Sequence, residues 1–209
     1  MVTERNTISL TLLLGLLLLF GMGCSAEKEV VREPTIEEII ASIPPIELSE
    51  NDLVYSRAGD LRGALPVGWV SLDALSFGIP ELFVVACDAD YSMTLLMSEI
   101  PIDRELGQAY QEGGMPALVK AHFDDRKSRA EPEVLELIQG GEFTIGRRRF
   151  YGYLYTQDQG VTHTRVALFS TGRNLYECTI THLPYSESEL PSVERLQEIH
   201  QIILSGIAW

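Results

Sequence analysis

Apolar positions follow three rhythms along this chain of 209 residues. The first is continuous: Ile8 to Gly23 is almost unbroken aliphatic sequence that stops at Cys24 and turns at once into charged chain. The second is helical. Ile36, Ile39, Ile40 and Ile43 share one face behind the capping-box residues Thr35 and Glu38, and Pro44-Pro45 ends the stripe. Leu106, Ala109 and Tyr110 form another short stripe that Gly113-Gly114 breaks, and Pro116 opens a second helix with Leu118, Val119, His122 and Phe123 turned inward. Ser192 is placed to cap a last helix with Val193, Leu196, Ile199 and Ile203 on one side.

The third rhythm is that of strands. Arg62 to Val70 reads as a strand interrupted by Pro66 and Gly68, and Leu82 to Asp88 with Ser92 to Ile100 as a hairpin turning at Asp88-Ala89-Asp90-Tyr91. Val134 to Thr144, Arg148 to Gln157, Val161 to Ser170 and Leu175 to His182 follow, the middle pair turning at Asp158-Gln159-Gly160. Strands, helices, antiparallel strands, helix is the order of an α+β fold, an antiparallel sheet flanked by helices, with no βαβ alternation and no internal repeat.

Composition narrows the partners. Sixteen Lys and Arg stand against 30 Asp and Glu, a formal charge of -14 that repels nucleic acid phosphates, and nucleic acid is not an expected partner. The Glu-rich stretch after Cys24 has Pro34, Pro44 and Pro45 and no aromatic residue up to about Asp52, so it reads as a tether carrying one short amphipathic helix. The organisation expected is a signal peptide over 1–23, a tether over 24–52 and one folded domain over 53–209.

Gly21-Met22-Gly23-Cys24, after an apolar run with a basic start at Arg5, resembles the cleavage box of bacterial lipoprotein signals. The resemblance implies that Cys24 receives a diacylglycerol, becomes the new amino terminus and is then acylated by a fatty acid such as palmitate. Two or three chains hold a protein on a membrane almost permanently, at about 0.8 kcal/mol per buried CH₂. By the habit of that family, Ser25 rather than Asp after the cysteine is compatible with sorting to an outer membrane, which is favoured over an inner one. Cys87 and Cys178 then remain as a pair, either a disulfide worth about 4–5 kcal/mol in the chain-entropy account or two separately buried thiols.

The folded region also carries a resemblance. Leu65-Pro66-Val67-Gly68-Trp69-Val70, the run from Gly140-Gly141-Glu142-Phe143 through Gly146 and Arg149 to Tyr155, Gly172-Arg173-Asn174-Leu175-Tyr176-Glu177-Cys178 and the ending Leu204-Ser205-Gly206-Ile207 are together similar to Mog1/PsbP-like domains. That likeness implies an α/β/α sandwich. The family includes a photosystem II accessory subunit, a Ran-binding nuclear protein and envelope lipoproteins of the DcrB type, and the lipid signal favours the last group.

Candidate chemistry is sparse. Asp88, Asp90 and Ser92 match part of a calcium loop, but Met93 stands where that loop needs glycine. His122, His163, His182 and His200 show no metal-ligand spacing with each other or with Cys87 and Cys178, and no nucleophile motif, phosphate loop or cofactor motif is present. Period two puts Arg149, Tyr151, Tyr153 and Tyr155 on one face, which is either a binding patch or a layer packed beneath a helix. The function expected is a non-enzymatic binding or assembly accessory for another envelope protein. The alternative is a small-ligand or metal-binding domain, possibly catalytic, with Asp88, Asp90, His163 and His182 as its candidate groups.

Overall fold

A computed structural model of the chain describes residues 46–130, 135–183 and 189–209. The described residues all belong to one compact unit, Pro45–Trp209. The signal segment, Cys24 and the Thr35 to Ile43 helix expected from the sequence lie outside the described residues. Among the described residues are nine strands and two α-helices: β1 (Leu48–Tyr55), β2 (Arg62–Pro66), β3 (Val70–Leu72), β4 (Leu82–Cys87), β5 (Met93–Glu99), α1 (Arg104–Arg129), β6 (Glu136–Ile145), β7 (Arg148–Gln157), β8 (Thr162–Ser170), β9 (Leu175–His182) and α2 (Val193–Ser205).

Seven strands form one antiparallel sheet in the order β3-β4-β5-β9-β8-β7-β6, and β1 pairs with β2 in a separate two-stranded sheet. The molecule is a mixed α+β fold, as the order of elements predicts. The expected strand Arg62 to Val70 is two strands: Gly68 takes φ +83°, and the chain leaves β2 after Pro66 and enters the large sheet at Val70. The fold also begins earlier than Leu53. Strand β1 takes in residues 48–52, whose polar, largely exposed sequence carries no apolar alternation to announce it.

Period-two alternation divides the sheet cleanly. One face, with Leu95, Met97, Phe150, Ala167, Phe169, Tyr176, Cys178 and Ile180, packs on Leu196, Ile199 and Ile203 of α2 and on Leu61 and Leu65 beside β2. The other face, with Tyr153, Tyr155, Val166, Leu168 and Leu175, packs on Leu106, Leu118 and Phe123 of α1. Helix α2 starts where Ser192 accepts a hydrogen bond from the Arg195 amide at 3.2 Å. Its end is crowded: a Cβ on Gly206 would sit 2.4 Å from Leu48 Cδ1, so the missing side chain lets β1 close over the helix.

Helix α1 is two helices joined at a kink. Asp103 accepts from the amides of Glu105 and Leu106, both at 2.9 Å, and caps the first piece. At Gly114 the backbone swings to φ +65° and ψ -154°, and Pro116 lies in the first turn of the second piece, where its missing N–H costs nothing. That second piece carries the side chains that meet the sheet.

Candidate functional site

Helical spacing aligns Val119, His122, Phe123 and Arg126 along the buried side of α1, and strand alternation brings Tyr153 and Tyr155 of β7 and Glu177 and Thr179 of β9 up to meet them. The polar groups among them form one connected cluster. Arg126 Nη2 lies 2.5 Å from Glu177 Oε1, His122 Nε2 lies 3.1 Å from Glu177 Oε2, and the Thr179 hydroxyl also donates to Oε1. Beyond them, His122 Nδ1 lies 3.0 Å from the Tyr153 hydroxyl, and Arg126 Nη1 donates to the Tyr155 hydroxyl at 3.3 Å.

The electrostatics follow from burial. Desolvation by itself would push the Glu177 carboxyl upward, but the His122 hydrogen bond, the Arg126 and His122 charges and the Thr179 hydrogen bond together hold it well below its usual range. The same burial, with the Glu177 charge, pushes the Tyr153 phenol up despite the nearby guanidinium. Arg126, desolvated but facing Glu177, is held protonated more firmly than a free arginine. Both carboxylate oxygens of Glu177 accept from donors inside the protein, so the cluster clamps α1 to the sheet, and His122, Arg126 and Glu177 also line a hollow of about 290 Å³ with Glu99 and Asp103.

Beside the clamp lies open space. Helix α1 stops short of the sheet edge and leaves a cleft of about 340 Å³ between itself and the β6–β7 hairpin, with Pro116, Val119 and Phe123 on one wall and Leu137, Tyr151 and Tyr153 on the other. Gly140 and Gly141 leave its β6 side open, while Lys120, Asp124 and Glu142 stand at the rim. Among the described residues β6 pairs with β7 alone, which leaves its outer backbone edge without a neighbouring strand, and Leu137 and Ile138 are exposed on it.

The Arg and Tyr strip expected from the sequence exists as a face but not as an open patch. Tyr153 and Tyr155 are each 4% exposed beneath α1. Arg149 and Tyr151 alone reach the surface, where Arg149 Nε pairs with Glu142 at 3.0 Å. A single strand cannot reveal which half of its face a helix will cover.

Cys87 and Cys178 are free, buried thiols, which corrects the disulfide considered above. They sit on β4 and β9 with β5 between, Cys87 beside Thr94 and Cys178 beside Met97, and an odd separation along β5 turns the two side chains to opposite faces. Burial and the Glu177 charge push the Cys178 thiol well above its usual range. Cys24 lies outside the described residues.

The Asp88 to Tyr91 turn forms as expected, with Tyr91 at φ +52°. Asp88 accepts from the Ser92 hydroxyl at 2.6 Å and the Met93 amide at 2.8 Å, which is the bonding of a hairpin turn. His163 and His182 do meet across β8 and β9, ring centroids 5.6 Å apart, but among the described residues no group of three His, Cys, Asp or Glu side chains is arranged to hold a metal ion.

Sequence reading passed over Glu177 and Arg126. A signal was present: Glu177 alternates in phase with Leu175 and Thr179 in a strand whose other face is Tyr176, Cys178 and Ile180, so it had to point inward and needed a cation.

No family model matches the chain, and no curated protein matches it. Among solved structures it is similar to the cyanobacterial PsbP protein CyanoP from Synechocystis sp. PCC 6803, with a TM-score of 0.43 and 17% identity over 80% of this chain and 98% of that one. It is also similar to LpqN, described as involved in cell envelope biogenesis of Mycobacterium tuberculosis, with a TM-score of 0.39 and 13% identity over 84% of this chain and 96% of that one.

Proposed function

We propose that this protein is anchored outside the cytoplasm by lipid on Cys24, and that its folded unit is a binding accessory for another envelope protein rather than an enzyme. The observation that carries the binding role is the apolar cleft under α1 lying directly inside the free edge of β6. An extended partner segment pairing with β6 would gain main-chain hydrogen bonds along the edge and could seat one aliphatic or aromatic side chain against Val119, Phe123 and Leu137. Glu136 and Glu142 on β6, in a protein of net charge -14, suit a segment flanked by basic residues.

The lipid anchor rests on the sequence around Cys24, and Ser25 supports delivery to an outer membrane. Among the described residues no helix is long and apolar enough to cross a membrane.

A photo-cross-linking amino acid at position 119, with position 173 at a distant turn as control, tests the cleft in cells. One protein captured from 119 and not from 173, which after purification binds the wild type and binds Val119→Glu about tenfold more weakly, is the expected result. Equal capture from both positions, or equal affinity for Val119→Glu, would refute the cleft as the docking site.

A further inference from the structure

On the opposite face of the sheet, under α2, an arginine stands without a counter-ion among the described residues. The alternation that sends Val166 toward α1 sends Arg165 toward α2, where its Nη1 donates to Gln197 Oε1 at 3.1 Å. Its Nε is buried and has no hydrogen-bond partner. Among the described residues no carboxylate lies within ion-pair distance of it, and Glu142, the nearest acid on β6, is held on the other face by Arg149. In a protein with 30 acidic side chains, a half-buried guanidinium left with one neutral acceptor is an unspent site for a negative charge.

The space in front of it has a structural origin. Gly141 of β6 pairs with Gly152 of β7, which pairs with Ala167 of β8, so this row of the sheet puts almost no side-chain volume under the helix. A Cβ on Gly152 would stand 2.3 Å from the Val166 carbonyl oxygen and 3.1 Å from the Phe143 ring, so residue 152 is restricted to glycine. The hollow that results measures about 180 Å³, and Gln139, Leu154, Arg165, Gln197 and Gln201 line it with those glycines. At ~30 Å³ for each water it has room for about six, enough for a compact polar head group. Its donors are the Arg165 fork and glutamine amides; Glu142 also borders it, but strand alternation turns that carboxylate to the other face, where it pairs with Arg149.

We propose that this hollow is a binding site for a compact oxyanion, a carboxylate or phosphate group, held by the guanidinium of Arg165 with Gln197 and Gln201. The planar fork of arginine matches two oxygens of such a group, which lysine cannot do. The site lies on the α2 face and rests on Arg165, Gln197 and Gln201, none of which lines the cleft under α1, although both border the same stretch of β6, so either can fail without the other.

The test uses the full chain in non-ionic detergent, with the Arg165 Nε–Hε resonance followed by NMR as inorganic phosphate, and separately acetate, is added at constant pH and ionic strength against chloride. A saturable shift with either anion and none with chloride is expected, together with binding about tenfold weaker in Arg165→Lys, which keeps the charge and loses the fork. Gln201→Glu places a carboxylate beside the guanidinium, so it should raise the thermal midpoint and abolish the response to added anion. A resonance that responds equally to chloride, or to neither anion, overturns the proposal. So does a phosphate response that survives unchanged in folded Gln201→Glu, a variant that keeps Arg165 and does not depend on tolerance of its loss.

Discussion

Glu177 gives both carboxylate oxygens to donors inside the protein, and Arg126 has its main ionic partner there. Such a pair is weak evidence for net stability, since two well-packed apolar side chains of similar size often do as well, but breaking it from one side strands the other charge. Arg126→Ala should therefore cost about 3–5 kcal/mol, and the double variant Arg126→Met with Glu177→Leu should recover most of that loss. Urea unfolding midpoints of the two variants measure it, and a double variant no more stable than Arg126→Ala would contradict the reading. The tyrosines of β7 were legible in the sequence because period two depends only on neighbours. The Glu177 partners were not, because Arg126 and Glu177 are 51 residues apart and only the packing of α1 brings them together.

Helix α1 owes its shape to two residues whose roles oppose ordinary helix preference. Gly114 sits at φ +65°, and a Cβ on its neighbour Gly113 would fall 2.6 Å from the Ala117 Cβ. Gly114→Ala would gain up to about 1 kcal/mol of helix propensity in a regular helix. Here strain of about 1–3 kcal/mol should win and lower stability, as the thermal midpoint will report. Asp103→Ala should cost about 1 kcal/mol through the lost cap, without altering the kink. The sequence announced this kink through Gly113-Gly114 and Pro116, since the breakers are local. It did not announce β1, because that strand is held by pairing with β2 and by Leu48 packing over Gly206, contacts from distant parts of the chain.

At the scale of the whole molecule, buried histidine sets the response to acid. His200 of α2 lies under the sheet with Nε2 3.1 Å from the Cys178 carbonyl oxygen and is 1% exposed. Burial, reinforced by the nearby Arg165 charge and only partly offset by that hydrogen bond, takes it down to about 3. The unfolded chain binds a proton there near its ordinary value of about 6.5, and the folded chain does not until about 3. Stability should thus be full above pH 6.5 and fall by about 1.4 kcal/mol for each pH unit on acidification below it. His182, lowered by burial and by His163, acts in the same direction. In His200→Gln the slope of stability against pH between 6 and 4 should flatten, and urea midpoints measured across that range check it. The proposed anchor is a separate property: Cys24→Ala should abolish labelling by radioactive palmitate and leave the precursor unprocessed on a gel, and a variant that still appears mature and membrane-bound would refute the anchor.

The two thiols, one on each side of the sheet and neither cross-linked, make the protein its own stopwatch. Alkylating reagent can reach Cys178, wholly buried under α2, only when that layer opens, and Cys87, buried on the other face at the end of β4, only when that face opens. Pulses of reagent followed by peptide mass analysis would time these openings separately in the unmodified fold, and so reveal which half lets go first.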